Sequence, residues 1–322
     1  MSETPYNVSY LAIAALATLV VLSKLRALKR DPTPTLAAIT AATACGAIAF
    51  FLGAPVIYRA VAAATGAHNL ATLGVYSFVI AFGGIAQVLV LLWASPRTDS
   101  QSLWDAIRPR VIGYVLLLAA MATLFFLGDT DGPETPLHFD VTYADEPTIL
   151  AFMSLYQAGY LVGLLTIAGA CHRQARQISD PHSAARLGLR LVSVGCLIAS
   201  GYAICKAIAL TAAAAGNHDL DFLSDSTGPA FAFFGSVFIC IGFWLPVLRV
   251  RWNQWQALRT LRPLWQAVHA AAAELSLDPG ASAVDLLAMR DLEWHLDRRM
   301  VEIRDAQREL RRWMSPKTEQ HV

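Results

Sequence analysis

Apolar residues along the chain fall into seven stretches of 17 to 24 residues (8–25, 35–58, 70–93, 111–127, 149–171, 191–213 and 228–248) separated by polar connections. A helix rises about 1.5 Å per residue and the hydrocarbon core of a bilayer is about 30 Å thick, so each stretch predicts one membrane-spanning helix. The pattern changes at Leu248-Arg249-Val250-Arg251-Trp252, where continuous apolarity gives way to a charged tail. Within it Leu258, Leu261, Trp265, Val268 and Ala272 recur at three and four residues and predict an amphipathic helix. Pro263 marks a restart there, because proline cannot donate the intrahelical bond. After a turn at 277–282, a second helix over 285–314 repeats Leu292, Leu296, Met300, Ile303, Gln307, Leu310 and Met314 at close to seven-residue spacing. The fold class is therefore all-α: an integral membrane bundle of seven transmembrane helices over 1–248, followed by a helical tail over 249–322. That tail forms a helix-turn-helix-like hairpin or a set of docking helices, and is not DNA-binding.

Basic residues set the orientation. Of 25 Lys and Arg, 12 lie from Arg249 onward, and the positive-inside rule places such a tail in the cytoplasm and the amino end outside. Lys24, Arg26, Lys29 and Arg30, then Arg97, Arg108 and Arg110, then Arg173, Arg176, Arg186 and Arg190 fall on the same side. The opposite side has Arg59 and the connection 128–148, which holds six acids and no Lys or Arg and reads as a solvated external loop. Because its positive charges follow the apolar stretch, the first segment reads as a retained span rather than a cleaved leader. Gly159-Tyr160-Leu161-Val162-Gly163 predicts a face where another helix approaches closely.

Composition adds the solvent and removes several functions. With 56% hydrophobic and only 15% charged residues, against roughly a quarter charged in soluble domains, the chain belongs in a lipid bilayer, as a multi-pass protein of the cell membrane. A net charge of +1, with the basic residues sorted by loop, is a topological signal and excludes nucleic acid as a partner. All five cysteines fall in or at the end of apolar stretches, as small hydrophobes, so neither a disulfide framework nor a metal site is expected. No cofactor is implied. Acids and histidines lie in loops, at helix ends or in the tail, so the spans lack the groups of an intramembrane enzyme, and none is expected. His295 reads as a surface residue of the second tail helix. Asp129-Thr130-Asp131-Gly132 resembles the start of a calcium loop, but Pro133 and Glu134 occupy the positions of the next ligand and the required glycine.

Lys206 stands out as the charged side chain well inside a span, where an ammonium costs about 3 kcal/mol unless a polar lining or water surrounds it. Counted from the outer ends, Lys206, Tyr202, Gln157, Ser154, Tyr76, Ser77 and Ser236 lie at depths of roughly 9 to 18 Å. Two readings stay open. Either they line a pocket in which Lys206, lacking any carboxylate within the spans, holds an anionic ligand, or Lys206 snorkels outward and the rest bond between helices. On the pocket reading Lys206→Met abolishes binding and leaves the empty protein no less stable. In the tail, Leu296, Met300, Ile303 and Leu310 form an apolar stripe that should dock on the tail itself, a second copy or a cytosolic protein partner.

Leu261-Arg262-Pro263-Leu264-Trp265 and Arg298-Arg299-Met300-Val301-Glu302-Ile303-Arg304-Asp305 resemble the tail of actinobacterial seven-helix membrane proteins classed as transporters, whose C-terminal cytosolic domain has no known function. That family continues into a Leu-rich end with proline, where this chain has Leu310-Arg311-Arg312-Trp313. The resemblance implies a transporter and brings no catalytic residue. The first functional expectation is thus a carrier of a small anionic or zwitterionic solute. The second is a seven-helix receptor or scaffold that signals through its tail.

Overall fold

The computed structural model describes residues 3–94, 100–130, 132–180, 182–271 and 292–310. Every regular element among them is helical: α1 (Thr4–Arg30), α2 (Pro34–Gly53), α3 (Pro55–Thr65), α4 (Leu70–Ala94), α5 (Ser100–Leu127), α6 (Phe139–Thr142), α7 (Pro147–Gln177), α8 (Ala184–Ala214), a π-helical turn (Leu223–Thr227), α9 (Gly228–Ala271) and α10 (Leu292–Leu310). Seven of these helices are long and apolar enough to cross a membrane, as suits a membrane protein. The chain divides into two compact units, Met1–Gly242 and Phe243–Val322.

Proline sets several starts. Pro34, Pro55 and Pro147 occupy first-turn positions, where the missing N–H would have had no partner. Thr33 caps α2 by accepting from the Leu36 amide at 3.2 Å. The second apolar stretch does not continue to Tyr58 as one helix. Ala54 is extended, as the residue before a proline prefers, so α2 ends at Gly53 and α3 begins at Pro55. The amino terminus fastens this break: Asn7 Oδ1 accepts from the Val56 amide at 2.9 Å, and Glu3 takes both guanidinium nitrogens of Arg59. That pairing holds the Glu3 carboxyl below its usual range. Pro263 does not act as expected: α9 runs through it without a restart, as it does through Pro246.

In the first unit α4 lies at the centre, against α2, α3, α5 and α7, while α7 also packs on α5 and α8. Hydroxyls inside the spans bond back to their own helices, as Thr18, Thr40, Thr43, Thr123 and Thr166 do to the carbonyl four residues earlier, so they need no pocket. Two glycine contacts set helix distances. Between α8 and α9 the backbones touch: a Cβ on Gly195 would lie 2.7 Å from the Gly235 carbonyl oxygen, and one on Gly242 2.6 Å from that of Gly188. Gly188 and Gly195, like Gly235 and Gly242, are one heptad apart, so the contact repeats along the seam. The Gly159/Gly163 face works differently, receiving side chains: Leu117 Cδ2 lies 2.5 Å from where a Gly159 Cβ would be, and the Tyr114 hydroxyl 3.0 Å from one on Gly163. Tyr114 also lies against Gly84 and accepts from Gln87 Nε2 at 2.7 Å.

The connection 128–146 is not an open loop. Phe139 and Ala144 are buried in a core cluster with Ile80, Met121, Phe125, Ile149, Phe152, Met153, Tyr156, Leu210 and Ala213. The Phe139 ring stacks on Phe125 at 6.4 Å and packs on Tyr143 at 5.0 Å, so α6 sits over the end of the bundle as a cap.

In the second unit α10 packs beside the last part of α9. Trp265 Nε1 donates to Glu302 at 2.6 Å, and Arg299 donates to the Leu258 carbonyl at 3.2 Å with its guanidinium 5.2 Å from the Trp265 ring. Leu258 and Ile303 are both buried. The expected turn at 277–282 lies outside the described residues.

Candidate functional site

Burying Phe139 carries its neighbour Asp140 inward, to 4% exposure. There Asp140 Oδ2 lies 2.5 Å from Lys206 Nζ, and Ser224 Oγ, on the π-helical turn, closes the triangle, accepting from Lys206 at 2.6 Å and donating to Asp140 at 2.6 Å. Three elements supply one residue each: α6 the anion, α8 the cation, the π turn the bridging hydroxyl. The i→i+5 bonding that shapes such turns is costly and recurs at functional positions. A second, exposed contact joins the same two segments, His138 Nδ1 to Asp225 Oδ1 at 3.4 Å.

This arrangement corrects the expectation that Lys206 has no carboxylate to pair with. The seven apolar stretches themselves carry none, but the connection before α7 brings one in. In this arrangement the Lys206 ammonium is paired with Asp140 and bridged by Ser224 within the protein. The other predicted residues divide. Tyr202 has its ring 6.0 Å from Lys206 Nζ and meets Tyr160 edge-on at 5.7 Å; Tyr76 stacks on Tyr156 at 4.2 Å, and Tyr156 on Tyr160 at 6.1 Å. A run of tyrosines thus leads from α4 through α7 to the ion pair. Gln157 is buried, with Oε1 lacking a hydrogen-bond partner, and Ser77 is half-buried. Ser154 and Ser236 do not belong: both are exposed, and Ser236 bonds the Ala232 carbonyl of its own helix at 2.7 Å. A cleft of about 290 Å³ lies on the cap itself, lined by Asp129, Thr142, Tyr143, Asp145 and Glu146, and none of the residues expected to line a pocket borders it.

The cap has a second anchor, on the other side. Asn69, fully buried with φ 54°, donates from Nδ2 to the carbonyls of Thr130 and Pro133 and to the Tyr143 hydroxyl, while Oδ1 accepts from Tyr58 and from the Thr135 amide. Its backbone amide donates to Glu134, which also pairs with His68 at 3.0 Å. Asparagine is among the few residues that adopt this left-handed conformation readily. The Tyr58 hydroxyl also meets Thr72 Oγ1 at 2.5 Å, and burial pushes its ionisation up, so it stays a neutral donor. Glu134 is thus engaged at Asn69 and His68, while Asp131 of the calcium-like run lies outside the described residues.

Sequence reasoning missed Asp140, Ser224, Asn69, Tyr156 and Tyr160. One signal was available: Leu137, Phe139, Val141 and Tyr143 alternate with polar residues in the acidic loop, a pattern a solvated loop does not need. Of the docking stripe, Ile303 is buried within the tail's own helix pair, Leu296 is half-buried and Met300 is exposed. The Leu310 and His295 side chains lie outside the described residues.

The class that emerges is an α-helical protein suited to the membrane, with a capped, ion-paired bundle end and a helical tail. Residues 250–322 match the profile of a family of unknown function, DUF6545. No curated protein and no solved structure matches the chain.

Proposed function

We propose that this protein is a seven-helix membrane receptor or scaffold whose cap over the bundle end is coupled to its cytosolic tail. The observation that carries this reading is the position of Ser224. It bonds Asp140 of the cap and Lys206 of α8 from the π turn, and that turn leads directly into α9, whose helix extends to Ala271 in the tail. Any event that moves the cap therefore acts on the first turn of the helix that supplies half of the tail's packing. The glycine seam supports the same view, since backbones in contact at Gly195/Gly235 and Gly188/Gly242 pass on small shifts rather than absorbing them.

The carrier expectation loses its anchor, because the cation meant to hold the solute is already satisfied within the protein. Transport also requires a route past the tyrosine run, and Tyr156 is buried where it stacks on Tyr76.

Hydrogen exchange on the full-length chain in nanodiscs tests the proposal. Asp140→Asn removes the one buried charge paired with Lys206 while keeping the side chain's shape. Coupling between cap and tail predicts exchange in α10 accelerated by about fivefold or more, the lower end of ordinary coupling energies. Faster exchange in the cap with α10 unchanged would refute it.

A further inference from the structure

The part of α9 beyond Leu248 has a feature that neither the helix pair of the tail nor the cap uses. Trp252, Trp255, Arg259 and Arg262 follow Leu248 at steps of four, three, four and three residues and so share one side of the helix. Arg249 and Arg251 precede them, and all four arginines are exposed. The two indoles pair at 5.0 Å between ring centres, and the Arg259 guanidinium lies 4.3 Å from the Trp255 ring. Trp252 is 50% exposed, a large apolar area to leave in water. The sequence holds no Asp or Glu from 226 to 273, so this stretch of α9 carries cations and no acid of its own.

We propose that this side of α9 binds the headgroups of anionic phospholipids. Position decides for lipid over a protein partner. A polar headgroup layer is roughly 5 to 8 Å thick, and at 1.5 Å per residue Trp252 lies about 6 Å and Trp255 about 10 Å along the axis from Leu248, the end of the apolar stretch. Indoles collect in that layer, with the ring among acyl chains and headgroups and the N–H in the polar part; Trp252 falls within it and Trp255 at its outer edge. Arg249 and Arg251, about 1.5 and 4.5 Å along the axis from Leu248, fall within that layer. Arg259, stacked on Trp255, is within about a Debye length of it and keeps its guanidinium edge open to a phosphate, as stacking occupies only the face. Charge complementarity is complete: the surface offers cations and aromatic area, and the lipid offers phosphate and acyl chain.

Tryptophan quenching in the reconstituted full chain reads this out. Two sets of vesicles contain phosphatidylcholine and phosphatidylglycerol in equal proportion, with bromine on the acyl chains of only one lipid in each set. The proposal predicts that brominated phosphatidylglycerol quenches about twofold more than brominated phosphatidylcholine, with the excess shrinking as salt rises from about 50 to about 500 mM. The excess should vanish in Trp252→Phe/Trp255→Phe and in Arg249→Gln/Arg251→Gln/Arg259→Gln, with helix content by circular dichroism confirming that both fold. If the triple variant fails to insert, the single variants Arg249→Gln and Arg259→Gln carry the test, each with a partial loss. Equal quenching by the two lipids in the unaltered chain, or an excess undiminished in the variants that fold, would overturn the proposal.

Discussion

Removing one partner of the Lys206–Asp140 pair should cost far more than removing both. The pair is buried, with side-chain exposures of 11% and 5%, and Ser224 completes it. Taking away one charge strands the other in a largely water-excluded site, and such losses run to about 3 to 5 kcal/mol. Asp140→Asn and Lys206→Met should each therefore lower stability by about 3 kcal/mol, roughly 150-fold in the folding equilibrium. For Lys206→Met this reverses the expectation drawn from sequence, which assumed an ammonium with no carboxylate. The combined Asp140→Asn/Lys206→Met chain leaves a neutral amide beside a thioether and Ser224, and its loss should fall at least about 2 kcal/mol short of the summed single losses. The assay is reversible unfolding of the purified chain in mixed micelles, with the four chains forming one double-mutant cycle. Additive losses, or an Asp140→Asn chain as stable as the parent, would show that the pair is not coupled and would remove the basis for the cap's attachment to α8.

The second anchor of the cap gives a separate expectation: Asn69→Ala removes the side-chain bonds to Thr130, Pro133, Tyr143, Tyr58 and Thr135 and should cost about 2 to 4 kcal/mol, read as faster proteolysis within 128–146. Gly235→Leu should separate α8 from α9, because even a Cβ there meets the Ala199 amide at 2.7 Å; Gly113→Ala, with nothing within 4 Å, should fold normally in the same thermal-unfolding assay. The Glu3–Arg59 pair carries a pH signature. Its lowered carboxyl contributes stability above the ordinary value of 4.5 and loses it as pH falls through the folded value, so the gap between the parent and Arg59→Gln should close in acid below that point. A gap that widens on acidification would contradict that sign.

Periodicity made the bundle legible because a bilayer imposes its own length on a helix, and no tertiary contact is needed to read an apolar run of that size. Breaks were harder. Gly53 and Pro55 were visible in the second stretch, yet only the extended Ala54 between them shows that the helix stops there. At Pro263 the same residue type was read as a restart and is not one, since the helix runs through it. Lys206 was found because a charge well inside an apolar run stands out whichever way it is explained. Its partner was not, because Asp140 stands among the acids of a connection and nothing local distinguishes a buried acid from a solvated one. Depth along the helix gathered Tyr76, Tyr202 and Lys206, which the tyrosine run links, but also admitted the exposed Ser154 and Ser236, because depth carries no information on which way a helix faces.

The sequence separations within the Lys206 triangle also imply an order of assembly. Asp140 is synthesised 66 residues before Lys206, and Ser224 follows 18 residues after it. When α8 enters the bilayer, the connection between α5 and α7 is already in place, so the ammonium arrives where a carboxylate is waiting. The bridging hydroxyl comes only with the turn that begins the last span. Within the triangle this contact would therefore form last, and a chain stalled before Ser224 would hold the pair without its bridge, a distinction that quality control at the membrane could read.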